Sequence, residues 1–114
     1  MTPKIQNLEM VRGDSLSFDL NLGGLTEESI TSIDFSAKKK ISDEHYLFHE
    51  SLGHGVEKVG ETAYRVTVAP EDTEDAEPGK YQYDLQLGIG TEVITPLMGT
   101  IRLIGDVTRR HHGD

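Results

Sequence analysis

The sequence predicts an all-β domain, and three observations support this prediction. Apolar and polar side chains alternate along several short segments, most clearly in residues 16–22 and 81–87, and this period of two is typical of half-buried strands. Gly, Pro, Asn and Asp interrupt the chain at intervals of about eight to twelve residues, as they do in all-β domains. No segment sustains the 3.6-residue period of an amphipathic helix, so we expect no helix longer than about two turns.

A turn followed by two tyrosines indicates which all-β architecture the chain adopts. Pro78 and Gly79 form the predicted turn, and Tyr81 and Tyr83 follow on one face of the next strand. This order is typical of the penultimate strand of immunoglobulin-like sandwiches. We therefore predict a single immunoglobulin-like antiparallel β-sandwich of about seven to nine short strands. It covers residues 1–114 and ends in a flexible tail at 105–114.

The predicted strands alternate with turns along the whole chain. Pro96 indicates an edge strand or a bulge, because proline cannot donate a hydrogen bond to a sheet. Residues 26–29 and 73–76 each fit a single turn of helix, and residues 88–90 fit a turn between strands. In chain order, the predicted strands are residues 5–11, 15–22, 32–39, 46–50, 56–59, 63–68, 80–87, 92–97 and 99–104.

The inward faces of these strands supply the predicted core. A shift of one residue would turn such side chains towards solvent, so their burial tests the predicted strand register. The lysines at 38–40 and Pro96 fit devices that protect open sheet edges against unwanted pairing. The predicted core consists of Leu16, Phe18, Leu20, Ile33, Phe35, Tyr64, Val66, Tyr83, Leu85, Ile101 and Leu103.

The composition argues against several classes of protein. The 114 residues include 11 basic and 20 acidic side chains, which give a net charge of −9 and argue against binding to a phosphate backbone. There is no cysteine, so disulfides and thiolate metal sites are excluded. The amino terminus lacks the regions of a signal peptide, and no apolar stretch approaches the roughly 20 residues of a membrane span. We expect a protein that is made in the cytoplasm.

The segment Gly13-Asp14-Ser15-Leu16 matches the signature of one family of serine esterases. A nucleophilic serine needs a strand-to-helix turn and a nearby histidine. Here an alternating strand follows Ser15, and the Asp-x-x-His motif of the esterases is missing. The same turn contains Arg12-Gly13-Asp14, the tripeptide that integrins recognise, which is too short to be informative. We interpret the segment as a tight turn in which Gly13 has a positive φ, and we predict no enzymatic activity.

Two histidines, His45 and His49, stand four residues apart beside Glu44 and Glu50. On a helix, this spacing would let both imidazoles bind one zinc ion. On a strand, as predicted here, their side chains lie roughly 13 Å apart at about 3.3 Å per residue, which is too far to share an ion. We therefore expect surface histidines, and we expect neither a metal nor any other cofactor.

Four motifs follow one another along the chain. They are Val11-Arg12-Gly13-Asp14, Phe35-Ser36-Ala37-Lys38-Lys39, Val68-Ala69-Pro70-Glu71-Asp72-Thr73 leading into Pro78-Gly79-Lys80-Tyr81-Gln82-Tyr83-Asp84, and Met98-Gly99-Thr100-Ile101-Arg102-Leu103 ahead of Asp106-Val107-Thr108-Arg109. Their order resembles small tailed-phage and prophage structural proteins, including the amino-terminal domain of phage baseplate upper proteins. The resemblance implies an immunoglobulin-like sandwich without catalytic residues, located in the tail or baseplate of a virion. The expected partners are therefore other phage structural proteins. The net charge and the short apolar stretches argue against nucleic acid and membrane as partners, and the exposed edge strand described next predicts a homo-oligomer in the particle.

The amino-terminal strand is the predicted contact surface. Residues 5–11 carry only Glu9 as a protecting charge, and an exposed strand near a terminus can pair with the sheet of a neighbour. The tail at 106–109 is a second predicted contact. The predicted contact residues are Ile5, Leu8, Met10, Val107 and Arg109.

The alternative function is that of a carbohydrate-binding or other ligand-binding sandwich module. Such modules display exposed aromatic side chains that stack on sugar rings. The chain has no Trp, and most of its Phe and Tyr residues occupy inward strand positions. Of Tyr46 and Phe48, we expect one to be exposed, and it is the best candidate for a stacking residue.

Overall fold

The computed structural model describes residues 2–23 and 30–108, which form nine strands and one short 3₁₀ turn, Pro70–Asp72. In this part of the chain, no helix is long and apolar enough to cross a membrane. The strands are β1 (Lys4–Ile5), β2 (Leu8–Val11), β3 (Leu16–Asn21), β4 (Ile30–Lys38), β5 (Phe48–Leu52), β6 (Gly55–Lys58), β7 (Ala63–Val68), β8 (Gly79–Ile89) and β9 (Glu92–Ile104).

The fold is the predicted all-β sandwich, made by a sheet that curls over its own apolar face. The strand order is β1–β9–β8–β4–β5–β6–β7–β3, and β2 also pairs with β9. We call β1, β2, β9, β8, β4 and β5 the front sheet, and β6, β7 and β3 the back sheet. The two sheets pack face to face. Between them, the ring of Phe18 on β3 contacts that of Phe35 on β4 edge-on, with the ring centroids 5.2 Å apart.

The pairing is not antiparallel throughout, which corrects the prediction. Strands β1 and β2 run parallel to β9, and β5 runs parallel to β6 over two residue pairs. A long connection leaves the relative direction of two strands open. Nearly the whole domain separates β1 and β2 from β9, so their direction is set by tertiary packing.

The bounds of several strands differ from the predicted ones. The predicted strand 63–68 is confirmed, whereas the one at 46–50 begins two residues later and leaves Tyr46 in the preceding loop. The predicted strands 92–97 and 99–104 form one strand, β9. Its register with β8 shifts between the pairs Leu85–Leu97 and Leu87–Ile94, so β9 gains one residue there and the bulge predicted at Pro96 is confirmed.

Two predicted turns differ in extent from the prediction. At residues 73–76 the Ala76 N–H donates to the Thr73 carbonyl at 3.0 Å, and a 3₁₀ turn, Pro70–Asp72, precedes this turn. In the 3₁₀ turn the Asp72 carboxylate accepts a hydrogen bond from the Ala69 N–H at 2.9 Å. The turn predicted at 88–90 is shorter, because Gly88 and Ile89 pair with β9. The helical turn predicted at 26–29 lies outside the described residues.

A kink divides the amino-terminal segment into β1 and β2, and hydrogen bonds at the kink hold the segment against β9. At this kink, the Asn7 side chain accepts hydrogen bonds from the backbone N–H and the hydroxyl of Thr100, both at 3.1 Å. The Gln6 carbonyl accepts a hydrogen bond from the Tyr83 hydroxyl. A side chain at Gly99 would overlap this carbonyl, so glycine is what allows the two strands to approach here.

The core forms around Phe35, whose ring contacts Phe18, Phe48 and Tyr83 with centroid separations of 5.2, 5.4 and 5.6 Å. Most predicted core residues are buried. Three residues of β3, namely Leu16, Phe18 and Leu20, are only half-buried because β3 is a sheet edge. The further apolar residues that are buried are Met10, Leu22, Ala37, Phe48, Val56, Val68, Tyr81, Leu87 and Ile89.

The turn before β8 carries a hallmark of the immunoglobulin-like architecture. The hydroxyl of Tyr81 donates a hydrogen bond to the carbonyl of Glu77, four residues upstream, at 2.7 Å. This contact corresponds to the tyrosine corner, in which a tyrosine near the start of the penultimate strand bonds the preceding backbone. Burial raises the pKa of the Tyr81 hydroxyl, so it remains a donor at neutral pH.

Candidate binding surfaces

The front sheet carries an open groove of about 590 Å³ on its outer face. Strands β4, β5, β8 and β9 form its floor, and the loop before β5 forms one wall. The volume lies within the range of small-ligand sites, about 300–1,000 Å³. The groove is lined by Asp34, Ser36, Lys38, Ile41, Tyr46, His49, Gln82, Tyr83, Asp84, Gln86, Met98 and Gly99.

The groove floor is polar because the outward positions of four neighbouring strands are aligned. Ser36 on β4 lies opposite His49 on β5 and opposite Asp84 on β8. Asp84 in turn lies opposite Met98 on β9. Adjacent strands are about 4.8 Å apart, so these four side chains form one row across the groove.

The wall of the groove is built around Tyr46, whose side chain is 49% exposed. The Tyr46 ring contacts the imidazole of His49 with centroids 4.8 Å apart, and Lys38 Nζ lies 4.9 Å from the Tyr46 ring centroid. His49 Nε2 is 2.8 Å from Asp34 Oδ1. This series of contacts holds the exposed aromatic ring beside the polar floor.

The Asp84 carboxyl faces the groove from β8, and its surroundings shift its pKa. Partial burial raises its pKa, and the nearby charge of Asp34 raises it further, whereas Lys38 and His49 lower it. Among the described residues, no hydrogen bond or ion pair involves the side chain of Asp84, of Gln82 or of Gln86. The floor therefore presents an acceptor and two amides that the fold leaves without partners.

Glu50, on the inward face of β5, is a second acid whose pKa is raised. It is only 5% exposed and lies against Gly55. Burial raises the pKa of the Glu50 carboxyl to about 7, and the charge of Asp72 and a hydrogen bond to it contribute further. This pair joins β5 to the 3₁₀ turn inside the sandwich, so it does not face the groove.

The predicted contact residues are spread over several environments. Ile5 is 64% exposed and Val107 is fully exposed, Leu8 is half-buried, and Met10 is buried in the core. Arg109 lies outside the described residues. A partner could therefore contact Met10 only through its backbone, and subunit contact through this segment stays a prediction.

The turn after β2 has a structural role in the fold. Gly13 adopts a φ of +83° as predicted, and the side chain of Ser15 is exposed. The Arg12 guanidinium lies 2.7 Å from the Asp106 carboxylate and donates to the carbonyl of Ala76 at 3.2 Å. The Arg12 side chain is thus bonded within the fold and largely buried.

The lysines at 38–40 do not protect a sheet edge, which corrects the prediction. Lys38 ends β4 and the other two follow it, and β4 lies between β8 and β5 in the interior of the front sheet. Lys38 and Lys39 extend over the rings of Tyr46 and Tyr81 instead, each at 4.9 Å. Cations in this position are attracted by the ring face, so Lys38 contacts the loop before β5 and Lys39 contacts β8.

His45 and His49 are both exposed, as predicted, and only His49 lies on a strand. Within residues 2–23 and 30–108, no group of histidines and carboxylates is placed to hold a metal ion. The sequence alone does not indicate that Asp34, Lys38, His49 and Asp84 are neighbours. The available signal was that the outward positions of residues 34–38 and 82–86 are all polar.

Comparison with known proteins identifies the fold and no family. The chain matches no protein-family model and no curated protein. It is similar to the structure of the NK cell receptor Nkp44, a triggering partner in natural cytotoxicity, with 12% identity and a TM-score of 0.53, over 90% of this chain and 99% of that one. A candidate glycoside hydrolase from Bacteroides vulgatus shares 17% identity at a TM-score of 0.46, over 87% of this chain. The chain spans only 16% of that hydrolase.

Proposed function

We propose that the chain is a structural adaptor of a tailed-phage or prophage particle, and that it acts through protein–protein contacts. The ordered motifs between residues 11 and 109 support this proposal. The all-β sandwich supports it as well, because that is the fold which the resemblance implies. The same sandwich serves many unrelated functions, so the proposal depends on the contact surface.

The observation that carries the proposal is the outer edge of the amino-terminal segment. Strands β1 and β2 pair with β9 along one edge only, and no described strand covers the other edge. An uncovered edge offers backbone groups to the sheet of a neighbour. Glu9 gives weak protection, because its carboxylate is 3.9 Å from Arg102 in a solvent-exposed pair.

The direction of the backbone groups in β2 allows a specific test. The N–H of Arg12 donates to the Ile104 carbonyl on β9. Because donors alternate sides along a strand, the N–H groups of Glu9 and Val11 point to the open edge. Glu9→Pro therefore removes an open-edge donor without breaking the pairing with β9, whereas Glu9→Ala keeps that donor and serves as the control.

The experiment is to complement a deletion of the gene in its phage or prophage and to purify the particles. We expect mass spectrometry to find the wild-type chain and Glu9→Ala in particles, and to find Glu9→Pro at strongly reduced copy number. Crosslinking should join the amino-terminal segment to a neighbouring subunit. Absence of the wild-type chain from particles, or its presence with both termini free of crosslinks, would contradict the proposal.

A second candidate function is that of a ligand-binding module, and the groove supports it. The exposed ring of Tyr46 borders a polar floor, and an exposed aromatic ring is the feature on which such modules stack sugar rings. The two functions are compatible because the groove lies on the face of the front sheet and the adaptor contact lies on its edge. Flanking genes for phage structural proteins would favour the adaptor, and flanking genes for carbohydrate degradation would favour the module.

A further inference from the structure

The floor of the groove has hydrogen-bonding capacity that the fold does not use. Gln82 and Asp84 are half-buried on β8, and Gln86 is exposed beyond them. None of the three side chains has a hydrogen-bond partner among the described residues. Because no side-chain polar atom that lacks a partner is buried among the described residues, these polar atoms reach the surface of the groove, where a ligand that supplies both donors and acceptors can bond them.

The wall of the groove is formed before any ligand arrives. The loop between β4 and β5 is closed by the Asp43 carboxylate, which accepts from the Lys40 N–H at 3.1 Å, and by the Leu47 N–H, which donates to the Ala37 carbonyl at 2.7 Å. This loop holds Ile41 at 76% exposure and Tyr46 at 49%. A preformed wall lowers the entropic cost of binding.

The groove carries charges of both signs, two carboxylates and one lysine. Asp34 and Asp84 face Lys38 and His49, and His49 is fixed by its contact with Asp34. A strongly cationic ligand would meet Lys38, and a strongly anionic ligand would meet both carboxylates. The lining therefore suits a neutral molecule with many hydroxyl groups and with an apolar face for Ile41 and Tyr46.

We infer that this groove is a binding site for a neutral saccharide. Its hydroxyl groups donate to Asp84 and exchange hydrogen bonds with the amides of Gln82 and Gln86, while the C–H face of a sugar ring packs on Tyr46 and Ile41. The inference deepens the second candidate function and rests on it. It is independent of the adaptor role, which uses the edge of the same sheet.

The test is a nuclear magnetic resonance titration of the ¹⁵N-labelled chain. The probes are cellohexaose, maltohexaose, mannohexaose and chitohexaose, each raised to millimolar concentration, and a hexalysine peptide is titrated in parallel. We expect at least one hexasaccharide to shift the amide signals of Ser36, His49 and Asp84 in a saturable manner.

Variants separate the site from the fold. Tyr46→Ala and Asp84→Asn should each weaken saccharide binding about tenfold, whereas Tyr46→Phe keeps the ring and should keep the affinity. Asp19→Asn, on the outer face of the back sheet, is the matched control and should bind as the wild type does. The unliganded spectrum of each variant shows whether it is folded.

The outcomes distinguish the inference from the function on which it rests. If only hexalysine shifts these signals, the groove binds basic peptides, and the saccharide inference is wrong while the ligand-binding function stands. If no probe shifts them, both are wrong. Saccharide shifts that survive unchanged in Tyr46→Ala and Asp84→Asn would place binding elsewhere and would also overturn the inference.

Discussion

Two polar regions of this sandwich differ in how their hydrogen bonds are satisfied. The Arg12 cluster comprises Arg12, Gly13, Thr73, Ala76 and Asp106, and its polar groups bond one another. The Gly13 N–H donates to the fully buried hydroxyl of Thr73 at 2.9 Å, and Arg12 and Asp106 are only 15% and 13% exposed. In the groove, by contrast, the polar side chains on β8 have no described partners.

This difference separates residues that stabilise the fold from residues that are available to a ligand. The Arg12 cluster ties the turn after β2 to the loop before β8 and to the segment after β9. Removing Arg12 would take a charged donor from the Asp106 carboxylate and from the Ala76 carbonyl, and removing the Thr73 hydroxyl would take the acceptor from the Gly13 N–H. Such losses in a largely buried position are costly. Removing Gln82, Asp84 or Gln86 would break no described hydrogen bond, so it should cost little.

The largest expected effect is that of Arg12→Ala. The Asp106 carboxylate and the Ala76 carbonyl would both lose a charged donor in a largely buried position, so we expect the free energy of unfolding to fall by about 3 kcal/mol. Urea titration measures it. Arg65→Ala is the matched control, because the Arg65–Asp19 pair is 47% and 57% exposed, and its urea midpoint should stay unchanged. Equal losses in both variants would remove the distinction between the cluster and the surface.

The next effect concerns Glu50, a buried acid whose ionised form is disfavoured by burial and by the nearby charge of Asp72. Its pKa is about 7 in the folded chain against an ordinary value of 4.5, so between these pH values the folded chain holds a proton that the unfolded chain has released. The free energy of unfolding should therefore fall as pH rises from about 4.5 to about 7, by about 2 to 3 kcal/mol from this group.

Glu50→Gln should abolish that part of the pH dependence and be more stable than the wild type at pH 8. Thermal melts at a series of pH values measure the difference between the two chains. Glu57→Gln, at an exposed position on β6, should follow the wild type throughout. If wild type and Glu50→Gln show the same slope between pH 5 and pH 8, Glu50 does not carry the proton.

A smaller effect is expected at the kink of the amino-terminal segment. Gly99→Ala would force its new methyl group against the Gln6 carbonyl, and we expect a loss of about 1 to 2 kcal/mol from the resulting strain. Gly105→Ala is the control, because its methyl group would make ordinary contact with Pro78 at 3.4 Å. Thermal melting compares the two variants. Equal midpoints would show that the close approach of β1 and β2 to β9 is not tightly constrained.

The strand faces could be predicted from the sequence because side-chain direction depends on local alternation alone. Ile33, Phe35 and Leu85 are buried for that reason. The different exposures of Tyr46 and Phe48 depend on where the strand begins, which the closed loop after β4 determines. The parallel pairing of the amino-terminal segment could not be predicted either, because its partner lies more than 90 residues away.

The groove could be predicted only in part, for a related reason. The sequence shows that Ser36, His49 and Asp84 face outward on separate strands, but not that these strands are neighbours. Only the pairing of β4 with both β5 and β8 brings the three residues into one row. The exposure of one aromatic ring was predicted as a choice between Tyr46 and Phe48, and the structure identifies it as Tyr46.

The stability of Asp84→Asn tests most directly the division between polar groups that stabilise the fold and polar groups that are available to a ligand. Partial burial raises the pKa of Asp84, which means that its charge opposes folding at neutral pH. Urea titration at pH 7 should therefore give Asp84→Asn a free energy of unfolding equal to that of the wild type within about 0.5 kcal/mol, or higher. A loss of more than about 1 kcal/mol would contradict this division, because it would show that Asp84 stabilises the fold as the Arg12 cluster does.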